Sequence, residues 1–97
     1  MNPILIRPAA AADIDEAFLW YERQQTGLGD EFLAVVQIAL ENIEAHPTRC
    51  PLVHREVRRA LLPRFPYGIF YRVYGERVVV IACMHGRRNP KRWKSQK

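Results

Sequence analysis

The spacing of apolar residues changes near the middle of this 97-residue chain, from helical in the first half to alternating in the second. One continuous apolar stripe predicts a helix that ends before Pro47; it consists of Phe32, Val35, Val36, Ala39, Leu40 and Ile43. Ile14 to Tyr21 also follow helical spacing, and Asp13 is the expected N-cap, with Glu16 three residues on. The glycine turn at 27–29 predicts that the two helices form a hairpin.

Four segments are rich in strand-forming residues. Residues 3–8 suit an edge strand, and 55–62, 67–74 and 77–84 follow as strands, with Gly75-Glu76 as a two-residue hairpin turn. The predicted order is βααβββ in a single domain over residues 1–97. The expected fold is α+β, with the N-terminal helical hairpin packed on a mainly antiparallel four-stranded sheet.

Charge divides sharply between the two halves of the chain. Residues 1–48 carry two arginines against eight carboxylates, a net charge of −6, and residues 49–97 carry thirteen Lys and Arg against two glutamates, a net charge of +11. Such a split points to an acidic partner: nucleic acid, an acidic protein or the acidic half of the same fold. No apolar run approaches a membrane span and no signal-peptide pattern is present, so a cytoplasmic location is expected.

Neither cysteine nor histidine spacing indicates a metal centre. His46, Cys50 and His54 would align on a helix, but Pro47 and Pro51 prevent helical geometry there and a fourth ligand is lacking. We therefore expect no metal and no cofactor.

Beyond these patterns, the chain resembles the RelE/ParE superfamily of bacterial toxins, and in particular its ParE-like branch, which includes plasmid stabilisation proteins. The start of the third predicted strand and the end of the chain carry the most specific part of the resemblance. The matching segments are Tyr21-Glu22-Arg23-Gln24, Gly27-Leu28-Gly29-Asp30-Glu31-Phe32, Pro47, Pro51, Arg58-Arg59, Leu61-Leu62, Arg64-Phe65-Pro66-Tyr67, Ile69, Tyr71, Val73, His85-Gly86-Arg87-Arg88-Asn89-Pro90 and Trp93.

The resemblance implies the toxin of a type II toxin–antitoxin system, neutralised by a cognate antitoxin that is acidic and encoded by an adjacent gene. Members of the ParE-like branch bind and poison DNA gyrase, whereas RelE-like members cut messenger RNA on the ribosome. A hetero-oligomer with the antitoxin is expected in either case.

Most catalytic positions of the RelE-like nucleases are occupied by other residue types in this sequence. Arg59 and Arg87 keep two of the cations, but Leu61 and Gly68 replace two others and Trp93 replaces a proton-transferring tyrosine. Gyrase poisoning by protein binding is therefore the leading hypothesis. The alternative is an mRNA endonuclease that uses His85 with Arg59, Arg87 and Arg88, since an unperturbed histidine suits proton transfer near neutral pH.

Two sets of residues are candidates for binding. The target-binding set is basic and lies mostly at the C-terminal end: Arg59, Arg64, His85, Arg87, Arg88, Lys91, Arg92 and Trp93. The antitoxin-binding set combines aromatic residues with one cation: Trp20, Tyr21, Phe70 and Arg72. Each set has a plainer interpretation, in which Trp93 and Trp20 are buried and the charges are solvated. Alternation along a strand places Arg58 and Arg59 on opposite faces of the sheet.

Overall fold

Two helices and five strands make up the part of the chain that the computed structural model describes, residues 3–85. In chain order they are β1 (Ile4–Ile6), α1 (Pro8–Gln24), α2 (Leu28–Ala45), β2 (Leu52–His54), β3 (Val57–Leu61), β4 (Tyr67–Tyr74) and β5 (Arg77–His85). The strands form one sheet in the order β1-β5-β4-β3-β2; β1 runs parallel to β5 and the other pairs are antiparallel. The α+β architecture is confirmed.

The sheet has five strands rather than the expected four, because the predicted strand at 55–62, observed as β3, is the second arm of a hairpin whose first arm, β2, was not predicted. Leu52 pairs with Arg58 and His54 with Val57, and the chain turns through Arg55, whose φ is 50°. The strand β2 is only three residues long and follows Pro51, so no alternation was long enough to indicate it. Its pairing with β3 defines it.

The first helix starts five residues earlier than Asp13. Pro8 occupies the first turn, where a missing N–H costs nothing, and the N-cap residue Arg7 makes no side-chain capping bond. The prediction that Asp13 caps the helix is therefore wrong. Its carboxylate instead accepts a hydrogen bond from the Cys83 N–H at 3.0 Å, at a stretch of β5 that lies beyond the pairing with β1.

The second helix matches its prediction closely. Four members of the apolar stripe are buried, and Asp30 and Glu31 lie in the first turn, where the helix dipole favours negative charge. The helix ends at Ala45, two residues before Pro47. Neither described helix is both long enough and apolar enough to cross a bilayer.

Both faces of the sheet carry apolar clusters. The face that packs on the helices, called here the helix face, includes Ile69, Tyr71 and Val80 together with α1 and α2 residues. The opposite face, called the outer face, carries a smaller cluster of strand residues: Val57, Phe70, Ile81, Ala82 and Met84, with Val53 packed against it. This division decides which functional side chains can meet.

Candidate interaction surfaces

A β-bulge in β5 determines where the end of that strand points. Phe70 pairs with Ala82 and Tyr71 pairs with Val80, which leaves Ile81 without a partner in the ladder. The extra residue reverses the alternation that follows it, so Cys83 joins the helix-face cluster while Met84 joins the outer one. The residue after Met84, which is His85, consequently lies on the helix face.

His85 lines a cavity of about 550 Å³ between α1 and the end of β5. Its ring lies edge-on to Tyr67, with the centroids 5.7 Å apart. Asp13, Glu16 and Trp20 of α1 form the opposite wall. The cavity therefore combines a histidine, two carboxylates and aromatic surface on the acidic side of the molecule.

Arg59 lies on the outer face, across the strand pair from Phe70. Its aliphatic stem crosses Gly68: a Cβ built on that glycine would be 3.1 Å from Cγ of Arg59 and 3.3 Å from Cδ. The absence of a side chain at 68 thus lets the arginine lie flat on the sheet. The Nε of Arg59 is buried and has no hydrogen-bond partner among the described residues. The residue as a whole is only partly buried, and the other guanidinium N–H groups can donate to a carboxylate or phosphate.

Arg72 also lies on the outer face, but its charge is partly balanced. It forms an ion pair with Glu56 at 3.0 Å, and its guanidinium lies 4.9 Å from the Tyr74 ring centroid. The Arg72 side chain is only 16% exposed, whereas Glu56 is 78% exposed. Because Glu56 is so exposed, a partner carboxylate could replace it at little cost.

Arg64 belongs to a different surface. It adopts a φ of 70° in the β3–β4 loop and pairs with Glu31 in the first turn of α2. Its guanidinium also lies 5.6 Å from the Phe65 ring. Both partners of the ion pair are about half exposed, so the contact links the acidic helices to the basic sheet without contributing much stability.

The structure does not bring the candidate nuclease residues together within the described part of the chain. Arg59 is on the outer face and His85 is on the helix face, with the sheet between them. Arg58 and Arg59 point to opposite faces, as predicted: Arg58 donates to the Thr48 and Cys50 carbonyls. The remaining target-binding candidates lie outside the described residues; they are Arg87, Arg88, Lys91, Arg92 and Trp93.

The antitoxin-binding candidates are also divided between the two faces. Trp20 is 52% exposed and packs edge-on against Tyr21, which is itself buried among aromatic rings under α1. Phe70 is buried in the outer cluster and Arg72 lies beside it. A partner that touches both Trp20 and Arg72 must therefore wrap around an edge of the sheet, and Tyr21 supports the surface from below.

Sequence reasoning missed the role of Tyr71 in shaping the loop before β2. Its hydroxyl donates to the Pro47 carbonyl at 2.8 Å, and Arg58 holds the same loop through Thr48 and Cys50. Burial, together with the hydrogen bond to Cys50, raises the Tyr71 pKa well above its usual value. The tyrosine therefore stays neutral and keeps donating.

Two further buried groups are held neutral on the helix face. Burial raises the pKa of the Cys83 thiol to about 12, and the nearby Asp13 carboxylate adds to the effect. Burial also raises the Tyr21 pKa, with a smaller contribution from Tyr67. Within residues 3–85 no three metal-ligating side chains cluster, and both cysteines there are free thiols.

Comparison with known proteins agrees with the fold. A family model for the ParE toxin of the type II toxin–antitoxin system parDE matches residues 4–90. A solved structure described as the chromosomal ParDE toxin–antitoxin system from P. aeruginosa is similar in fold, with a TM-score of 0.66 and 22% identity over 88% of this chain and 96% of that chain. No curated protein matches the chain.

Proposed function

Because the chain belongs to the ParE toxin family of type II toxin–antitoxin systems, we propose that it poisons DNA gyrase by binding to it, and that a cognate antitoxin neutralises it. The single observation that carries the choice of binding over cleavage is the separation of His85 from Arg59 by the sheet. The proposal implies a cytoplasmic location, where gyrase and its DNA are found.

The separation matters because cleavage by a 2′-hydroxyl needs a proton-transferring group and a cation at the same phosphate. Such groups act within hydrogen-bond distance of the reacting atoms. On this fold a phosphate held by Arg59 is out of reach of His85. The arrangement supports a surface that grips a macromolecule.

The proposed gripping surface is the outer face around Arg59 and Arg72. Both guanidiniums lie close to the sheet, and each has a buried Nε without a hydrogen-bond partner among the described residues. A flat, basic surface whose terminal guanidinium N–H groups can donate hydrogen bonds suits acidic side chains on a protein target. Desolvation on docking would strengthen each pair beyond its value in water.

The test is supercoiling of relaxed plasmid by purified gyrase in the presence of the full-length chain. We expect inhibition by the native chain, and we expect Arg59→Gln to need about tenfold more protein for the same inhibition, since one charge-assisted hydrogen bond is lost. The matched control is Arg23→Gln, which removes an equal charge at the exposed end of α1. Unaltered supercoiling would overturn the proposal.

The alternative function is ribosome-dependent cleavage of messenger RNA. The observation in its favour is the cavity that places His85 opposite two carboxylates, Asp13 and Glu16. In this function His85 would act with Arg87 and Arg88, which lie outside the described residues, while Arg59 would be excluded. Transcript ends mapped after induction would show codon-linked cuts that disappear in His85→Ala and persist in Arg59→Gln.

Neutralisation is proposed to involve the exposed Trp20 on α1 and the basic outer face together. An acidic, amphipathic segment would cover the aromatic surface with its apolar side and pair with Arg72 through its carboxylates. Co-expression with the product of an adjacent gene provides the test. We expect Trp20→Ala to lower the yield of the toxin–antitoxin hetero-oligomer, whereas Leu33→Ala on α2, a partly exposed residue outside this surface, should leave it unchanged.

A further inference from the structure

The cavity between α1 and the end of β5 is large enough to hold a small molecule. Its volume of about 550 Å³ lies within the range of ligand sites in proteins. Gyrase binding through the outer face makes no use of it, because the cavity opens beside α1 on the other side of the sheet. The chemistry of its walls indicates what kind of molecule it fits.

One face of α1 forms the acidic wall of the cavity. The α1 residues that line this wall are spaced i, i+3, i+4 and i+7, which places them on one side of the helix: Asp13, Glu16, Ala17 and Trp20. Ala17 is buried and has the smallest of these side chains, so it leaves room beside the carboxylates and the indole. Two carboxylates and an indole thus border the same space.

The charge of this wall favours a cation. Within residues 3–85 no lysine or arginine lines the cavity, and His85 is the one basic residue there. Asp13 accepts the Cys83 N–H, whereas no hydrogen bond or ion pair among the described residues involves Glu16. Two carboxylates one helical turn apart repel each other, and a cation bound between them relieves that repulsion.

Aromatic side chains favour a cation of a particular shape. Trp20 is 52% exposed and packs edge-on against Tyr21, so much of its indole surface remains accessible. Tyr21 and Tyr67 line the cavity as well. Cations bind over aromatic faces, indole most strongly, and a planar guanidinium does so more often than an ammonium. Because Glu16 and Trp20 are one turn apart, a single guanidinium can contact both.

The buried part of the lining calls for an uncharged body on the same ligand. It includes Ala17, Cys83 and Met84. Burial raises the pKa of the Cys83 thiol, so this group stays neutral, and no hydrogen bond among the described residues involves its sulfur. A second charge placed here would lose its hydration without gaining a partner, whereas an aliphatic chain gains apolar contact.

We propose that this cavity binds a small organic cation in which a guanidinium group is joined to a short aliphatic body. The guanidinium donates to Glu16 and lies on the Trp20 indole, and the aliphatic body occupies the buried part of the cavity beside Met84. Such a ligand contacts both α1 and β5, so its binding stabilises the folded chain. The site goes beyond the proposed function, which is assigned to the outer face.

The experiment titrates the full-length chain with butylguanidine at constant ionic strength. NMR follows the indole N–H of Trp20, assigned by its loss in Trp20→Phe, and the backbone amide of Cys83. One charge-assisted hydrogen bond together with one cation–π contact corresponds to a Kd of about 1 mM. Butylurea is the matched control ligand, since it has nearly the same shape without the charge, and it should bind about tenfold more weakly.

Two pairs of variants test which side chains hold the cation, with the Cys83 amide as the common signal. Glu16→Gln should weaken binding of butylguanidine about tenfold, because the hydrogen bond loses its charged acceptor. Asp15→Asn removes an equal charge from a residue that does not line the cavity and should have little effect. Trp20→Leu should weaken binding about fivefold, whereas Leu19→Ala, at an exposed residue outside the lining, should not.

Equal binding of butylguanidine and butylurea would overturn the proposal, because the cavity would then select shape and not charge. Equal losses in Glu16→Gln and Asp15→Asn would also overturn it, as would unshifted resonances at about 10 mM butylguanidine, about tenfold above the expected Kd. None of these results would affect gyrase poisoning, which the supercoiling assay tests separately. Conversely, butylguanidine binding together with unaltered supercoiling would reject the proposed target and keep the cation site.

Discussion

Glu22 closes the helical hairpin, and its loss should destabilise the whole fold. Its carboxylate accepts the backbone N–H groups of Gly27 and Gly29, each at 2.9 Å. These donors belong to the start of α2, where no side chain of the N-cap residue makes a capping bond. Glu22 therefore supplies from α1 the cap that α2 lacks, and adds negative charge at the helix N-terminus.

The variant Glu22→Gln keeps one oxygen acceptor but turns an NH₂ group toward the second N–H. A hydrogen bond to a charged group contributes about 1.5–3 kcal/mol, and the partly exposed setting of Glu22 favours the lower part of that range. We expect a loss of about 2 kcal/mol in the free energy of unfolding. For a domain of this length that corresponds to a fall in Tm of roughly 8–16 °C.

Urea unfolding followed by circular dichroism would measure the change. The control is Asp15→Asn, which removes the same charge from an exposed position of α1 and should cost less than 0.5 kcal/mol. If the two variants lost equal stability, the capping role assigned to Glu22 would be refuted, and the effect would reduce to net charge.

Three further predictions concern single residues. The Cys83 pKa rises from 9.0 to about 12 on folding, so the unfolded chain loses this proton first and the free energy of unfolding should fall by up to about 1.4 kcal/mol per pH unit between those two pKa values. Cys83→Ala should flatten this pH dependence in urea titrations at pH 8 to 11, and an unchanged slope would contradict the prediction. Tyr71→Phe should lower the free energy of unfolding by about 1 kcal/mol, because the hydrogen bond to the Pro47 carbonyl is lost, and proteolysis at residues 46–51 should become faster. Unaltered cleavage there would show that this hydrogen bond does not hold the loop. Gly75 has a φ of 59°, so Gly75→Ala should lower stability by about 1 kcal/mol and Gly75→Asn by less; equal urea midpoints for both variants would rule out backbone strain as the cause.

The elements that sequence indicated best are those whose pattern is long and local. The apolar stripe of α2 and the run of strand-forming residues in β4, followed by Gly75, each predict their element to within about two residues. The start of α1 was mispredicted because a good capping residue, Asp13, competed with an equally good helix start at Pro8. Asp13 instead accepts a hydrogen bond from the Cys83 N–H, seventy residues away in sequence. Capping preferences, which depend on neighbouring residues, do not take such a contact into account.

The candidate site depended on pairing that the sequence does not show. Simple alternation from Val79 would place His85 on the outer face, the face that carries Arg59, and the bulge at Ile81 reverses this. A bulge of this kind without glycine leaves little local signal.

Ile81, the extra residue of the bulge, therefore determines which face of the sheet the side chains at the end of β5 point to. Deleting it would restore uninterrupted alternation, and the imidazole of His85 would swing to the side that holds the guanidinium of Arg59. A change of one codon, far from either group, would then decide whether a base and a cation share a surface. Length variation within this strand is accordingly a simple route by which toxins of one shape could diverge between gripping a target and cutting one.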